Sequence, residues 1–257
     1  MKRLPLIFIL GLPVVTLIIW VAWGMHRRES SATQSNTTRM TNEVSGSANP
    51  AKEKTVADRL AEYGPAARAR MKPYFDSAQV PYPPAQLTLV GLKAEKILEV
   101  YAAGIDGNLR FIRNYPILAA SGVAGPKLRE GDRQVPEGIY PVEWLNPNSS
   151  YHLSFRIGYP NDFDREHAKL EGRTNLGGDI MIHGKAASVG CLAMGDPASE
   201  ELFVLAADTG ISNITVILSP VDFRKGLSVP ATNALPPWTD SLYQNIQARL
   251  NRLPPAK

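Results

Sequence analysis

The chain has 257 residues, 44% hydrophobic and 20% charged, with 21 Pro and 20 Gly. That size fits one ordinary globular domain with added segments, or two small domains, and the Pro and Gly usage favours many short strands over a helical bundle. The formal net charge of +4 includes residues near the N-terminus, so no concentrated basic footprint for nucleic acid is visible, while an anionic polymer or a membrane surface remains compatible as partner.

Lys2 and Arg3 precede an uncharged run from Leu4 to Met25, which meets His26, Arg27 and Arg28. At about 1.5 Å per residue such a run spans the roughly 30 Å core of a bilayer. Trp20 and Trp23 lie near one end, as interface anchors do. The run ends in Trp23-Gly24-Met25-His26, a poor cleavage site, so residues 1–28 read as an uncleaved signal anchor in the cytoplasmic membrane. A cleaved signal peptide is the alternative. Either way the body is expected in the periplasm. Residues 29–54 are rich in Ser, Thr, Asn and Ala and read as a disordered tether.

Residues 55–85 form a helical lead-in. Val56, Leu60, Tyr63, Ala67 and Met71 recur near the helical period, and Gly64-Pro65 is expected to break the helix into two pieces. Val80-Pro81-Tyr82-Pro83-Pro84 is extended and bounds a main domain over 86–220. Within it, Leu87–Val90, Ile97–Tyr101 and Leu109–Tyr115 read as a meander with a turn at Gly104–Gly107. Further strands are expected at Gly138–Val142, Tyr151–Ile157, Asp179–His183 and Ile214–Leu218. One helix stands out, with Asp196 as N-cap, Pro197 at its first position and Gly210 as its stop. Residues 221–257 form a C-terminal extension with an amphipathic stretch from Trp238 to Leu253.

Cys191 is the only cysteine, which excludes an intrachain disulfide. A lone thiol in an exported protein is open to oxidation and mispairing. It lies in the segment Ile180–Asp196, IMIHGKAASVGCLAMGD. Met181 and His183 face one side of the preceding strand, and Ile180 and Ile182 the other. A free thiol has a pKa of about 8.5 and needs a nearby base to act at neutral pH. His183 is the candidate base, and the Gly184 carbonyl the candidate acceptor for its second ring nitrogen. Gly190 allows a sharp turn before the thiol, and adjacent N–H groups in such a turn can bind an oxyanion. Spacing alone leaves two other readings open. Cys191 could be a small buried hydrophobe. His183, Cys191, His152 and His167 could hold zinc, although their spacing fits no standard structural site.

The pattern IMIHG followed by SxGCxxM resembles the L,D-transpeptidase catalytic domain, or YkuD, family. Lys127–Val142 is similar to the family's stretch where a Pro-x-Gly turn enters a strand, and Ser154–Asp164 with the short His-to-Cys spacing resembles its YafK-like branch. The resemblance implies a mostly β catalytic domain with a few helices (α+β), of the L,D-transpeptidase β-sandwich type. No metal or cofactor is expected. The resemblance also implies Cys191 as nucleophile, His183 as base, Gly190 and Cys191 N–H groups as oxyanion donors, and Ser188 as a loop-shaping residue. It further implies a thioester with the L-centre carbonyl of diaminopimelate in peptidoglycan stem peptides. An amine or water then resolves that thioester. Val189 and Ala193 stand where many members have His and Arg, as in the YafK-like branch. That branch resembles both transferases that build wall linkages and amidases that release a wall-anchored lipoprotein. A non-catalytic wall-binding module is a third reading. Lys127, Arg129, Tyr159 and Asn161 are candidate contacts for the charged stem peptide, with Glu130 and Asp132 in the same charged loop. His152 and His167 are expected to be surface or strand residues.

Overall fold

The computed structural model describes residues 53–229 and 235–256. The expected anchor, residues 1–28, and all but the end of the expected tether lie outside the described residues. Among the described residues no helix is long and apolar enough to cross a membrane.

Among the described residues, nine strands form one curled sheet: β1 (Leu87–Leu92), β2 (Ile97–Ala103), β3 (Leu109–Pro116), β4 (Ala119–Ala120), β5 (Gly138–Asn146), β6 (Ser154–Ile157), β7 (Met181–His183), β8 (Leu192–Ala193) and β9 (Ile214–Ser219). Their order is β3-β2-β1-β9-β5-β6-β7-β8-β4. The meander β1–β3 is antiparallel, and β1 pairs in parallel with β9. β5 serves both halves. Its first residues pair with β9, the register slips between Val142 and Trp144, and its later residues pair with β6. A bulge of this kind bends a strand and raises its twist. Side chains from both halves, among them Leu89, Val216, Phe155, Ile182 and Leu192, enter one core.

Four helices among the described residues cover the sheet: α1 (Val56–Ala78), α2 (Asp162–Leu170), α3 (Asp196–Thr209) and α4 (Thr239–Leu250). Alternation along β1 decides which face each residue serves. Leu87 and Leu89 join the core shared with α1 and α3, whereas Val90 and Leu92 pack with Leu242, Ile246 and Leu250 of α4. The architecture is α+β.

The expected strand Tyr151–Ile157 begins only at Ser154, and three helices differ from the sequence expectations. First, α1 is one helix through Gly64 and Pro65. A proline inside a helix costs about 3 kcal/mol. Burial of Gly64, Ala67, Met71 and Phe75 offsets it, together with Arg68–Asp208 and Arg70–Glu201 ion pairs of 2.7 and 2.6 Å to α3. Second, α3 is capped by Gly195, with φ 78°, and Asp196 is its first residue. The Asp196 carboxylate accepts the Lys185 N–H at 2.8 Å instead, which holds the turn after His183. Third, Asp162–Leu170 is a helix, started by a capping box between Asn161 and Asp164.

Candidate active site

β7 ends at His183 and β8 begins one residue after Cys191. The two strands are parallel, with Ile182 opposite Leu192 and His183 opposite Ala193. This register sets the Cys191 turn beside Met181, whose N–H lies 3.4 Å from the sulfur. Ile180 and Ile182 point into the core, while Met181 and His183 line a cleft of about 220 Å³ with Ser149, Tyr151, Asp179, Ala187, Val189 and Cys191. His183 and Cys191 are thus brought to one cavity.

His183 is 3% exposed. Its Nδ1 sits 2.6 Å from the Gly184 carbonyl oxygen. The Tyr151 ring lies against it, with centroids 4.8 Å apart. Burial pushes the imidazole below its ordinary 6.5, partly opposed by the Gly184 carbonyl. A Cβ on Gly184 would stand 2.6 Å from Asp196 Oδ1 and 2.8 Å from the Tyr151 carbonyl oxygen, so glycine is what admits these groups so close to the backbone.

Burial likewise pushes the Cys191 thiol above its ordinary value. The Met181 N–H and the charge of Lys127 act the other way, and Asp179 adds to the rise. Both shifts favour the uncharged forms of the thiol and the imidazole. Gly190, with φ 98°, makes the turn before the thiol, a conformation that favours glycine.

The N–H groups of Gly190 and Cys191, expected to face an oxyanion, are both occupied. The Cys191 N–H donates to Ser188 Oγ at 3.1 Å, and the Ser188 hydroxyl donates back to the Cys191 carbonyl. The Gly190 N–H donates to Ser121 Oγ at 2.5 Å.

Most of the residues expected to bind substrate hold the framework instead. Lys127 is 5% exposed, and its ammonium donates to the Arg129 carbonyl at 2.8 Å and to Asp132 at 2.7 Å. Asp132 also accepts the N–H groups of Leu128, Arg129 and Gln134, so it closes its own loop. Tyr159 is buried, and its hydroxyl hydrogen is shared between the carbonyls of Lys127 at 3.2 Å and Leu176 at 3.3 Å. Asn161 caps α2 and donates to the Ile139 carbonyl at 3.0 Å. Arg129 alone of the four is exposed; it lines a separate depression of about 870 Å³ with Arg173, Thr174 and Asn175. Glu130 is exposed as well.

His152 Nε2 lies 3.1 Å from Glu200, and His167 stacks on Trp238 with centroids 4.7 Å apart. Among the described residues no group of three or more His, Cys, Asp and Glu is placed to hold a metal. Sequence reasoning missed Ser121, Tyr151 and the Met181 N–H. Ser121 and Tyr151 meet Gly190 and His183 only through the fold, and the sulfur contact of the Met181 N–H depends on the Cys191 turn.

The L,D-transpeptidase catalytic domain (YkuD) profile matches residues 88–217. YafK of Escherichia coli K12, provisionally named an L,D-transpeptidase, is 38% identical over 113 residues, 43% of this chain and 43% of that protein. The chain thus spans under half the length of the curated relative it matches. Among solved structures, the helical cell shape determining protein Pgp2 from Campylobacter jejuni shares 25% identity, covering 57% of this chain and 50% of that one, with a TM-score of 0.43. L,D-transpeptidase 1 from Mycobacterium tuberculosis shares 15%, covering 52% and 62%, with a TM-score of 0.31. With half of its length matched, including the strand of His183 and the turn of Cys191, this chain belongs to the L,D-transpeptidase catalytic domain family.

Proposed function

We propose that the protein is a cysteine acyl-transfer enzyme of peptidoglycan, in which Cys191 attacks the L-centre carbonyl of diaminopimelate in stem peptides and His183 is the base. The observation that carries this reading is the shared cleft of the thiol and the Nδ1-bonded imidazole. A carbonyl can only accept, so the hydrogen bond to Gly184 fixes the proton on Nδ1 and leaves the Nε2 lone pair free. As Sγ bonds to the carbonyl carbon, the thiol proton passes to Nε2. The tetrahedral species then expels the leaving amine, which takes that proton, and a thioester remains. An incoming amine or water resolves the thioester by the reverse path.

Two features support work on the outer side of the membrane: the apolar run from Leu4 to Met25 and the polar tether behind it. The membrane-tethered periplasmic location is part of this proposal, as is a wall-anchored lipoprotein as partner.

The test is mass spectrometry of wall fragments from cells lacking the protein, restored with wild type or with Cys191→Ala. New 3-3 cross-links or lipoprotein attachment dependent on Cys191 identify a transferase. Cys191-dependent release of attached lipoprotein identifies hydrolysis as the second step. Full restoration by Cys191→Ala at normal protein level would overturn the catalytic reading in favour of a wall-binding module.

A further inference from the structure

The two serines beside the thiol use their hydroxyl protons differently. Ser188 closes a ring with Cys191, accepting its N–H and donating to its carbonyl. Ser121 accepts the Gly190 N–H, but its own hydroxyl hydrogen has no bonded acceptor among the described residues. Ser121 also lies beside the turn of the thiol, through its contact with Gly190. β4 and β8 are antiparallel, with Ala119 opposite Ala193 and Ala120 opposite Leu192. One further step of that register sets Ser121 opposite Cys191.

Its backbone is held in place. The Ser121 carbonyl accepts the Val135 N–H at 3.4 Å. The next residues are clamped by Gln134, whose side chain accepts the Val123 N–H and donates to the carbonyls of Val123 and Gly125. The half-buried Lys93 donates to the same two carbonyls and to Glu137, which is fully buried and accepts the Gly125 N–H. A donor fixed this firmly needs little reorganisation when charge develops nearby.

We propose that Ser121 is an oxyanion donor: its hydroxyl passes the polarity of the Gly190 amide to the oxygen of the tetrahedral intermediate. The proposal rests on the reading of Cys191 as the residue that is acylated. When Sγ bonds to the carbonyl carbon, the π pair of the C=O moves to oxygen, and that oxygen accepts the Ser121 O–H. When the pair returns, the leaving group departs with the proton that His183 received from the thiol. A hydroxyl already accepting from an amide is a stronger donor than a free one.

The test uses the full chain in detergent and two probes small enough for the cleft. 4-Nitrophenyl acetate acylates the thiol through an oxyanion and is read by 4-nitrophenolate release. Iodoacetamide alkylates the thiol at a saturated carbon, with no oxyanion. Ser121→Ala is expected to slow acylation about 10²- to 10³-fold, the usual effect of losing one oxyanion donor, while alkylation stays near wild type. Ser121→Thr, which keeps the hydroxyl, is expected to recover most of the acylation rate. Two results overturn the proposal. Acylation of Ser121→Ala as fast as wild type or faster would mean that the freed Gly190 amide is the donor and Ser121 only covers it. A parallel fall in both probes would mean that Ser121 merely shapes the turn. Failure of the underlying reading looks different: wild type and Cys191→Ala would then release 4-nitrophenolate at the same rate.

Discussion

The Nδ1 of His183 stands 2.6 Å from the carbonyl oxygen of Gly184, and this contact decides which ring nitrogen can receive a proton. It also orients the ring along the cleft, with the Tyr151 ring against it. Gly184 serves here through its backbone: its missing Cβ admits Asp196 and Ser199, and its oxygen fixes the tautomer.

The pH dependence of thiol reactivity follows from the same contact. Burial holds the His183 imidazole below 6.5, so the neutral base persists into mildly acidic solution. As pH falls through that lowered value, the ring gains a proton and can no longer take the one on the thiol. The acidic limb of kcat/KM for acylation is therefore expected to have its inflection below 6.5. His183→Ala is expected to lose that limb and to fall about 10²- to 10⁴-fold, the range of general-base contributions. A pH profile of 4-nitrophenyl acetate turnover for both proteins checks this.

Lys127 acts on the thiol through its charge and through the loop it holds. Its buried ammonium is paired with Asp132 at 2.7 Å and draws the Cys191 thiol downward against the rise from burial. Lys127→Met removes a positive charge that favours the thiolate. The pH profile of iodoacetamide alkylation is expected to move to higher pH. The variant also leaves Asp132 without its cation, and breaking a buried pair costs about 3–5 kcal/mol, read as a lower urea midpoint.

Legibility in the sequence followed the range of the interaction. The meander β1–β3 and the strand of His183 were readable, because alternation is written into neighbouring residues. The pairing of His183 and Cys191 in one cleft was carried by a motif that sets the two residues eight positions apart. α2 was missed because DFDREHAKL offers little apolar stripe. Its signals are the short Asn161–Asp164 box and the contact of Phe163 and His167 with Trp238, some seventy residues on. Pro65 misled for the opposite reason, since its local penalty is overridden by the packing of α1 on α3. Ser121 was invisible because Gly190, its partner, lies 69 residues away.

Glu201 is the carboxylate that fastens α1 to the body. It is 4% exposed and accepts from Arg70 at 2.6 Å, Arg113 at 2.8 Å and the Tyr115 hydroxyl at 2.7 Å. Glu201→Ala leaves a buried tyrosine hydroxyl and a half-buried guanidinium without that acceptor, at a cost of about 3–5 kcal/mol. Arg70→Ala should cost about 1 kcal/mol or less, because its side chain is 38% exposed and solvent replaces the ion pair. Urea denaturation of the two variants should separate them clearly. Equal losses would show that the carboxylate works only through Arg70.

Asp164 gives the fold a pH dependence separate from the site. Burial pushes its carboxyl up to about 6, although the Asn161 N–H donates to it at 3.0 Å and favours the charged form. In the unfolded chain the same group ionises near 3.8. Between these values the folded state holds a proton that the unfolded state has lost, so stability falls as pH rises through the window and stays lower above it. Asn at this position can accept the same N–H and never ionises. The stability advantage of Asp164→Asn over wild type is therefore expected to grow by about 1–3 kcal/mol between pH 4 and pH 7.5. Paired urea titrations at the two pH values measure this difference directly. A difference that stays flat with pH would mean that the carboxyl ionises as readily in the folded chain as in the unfolded one.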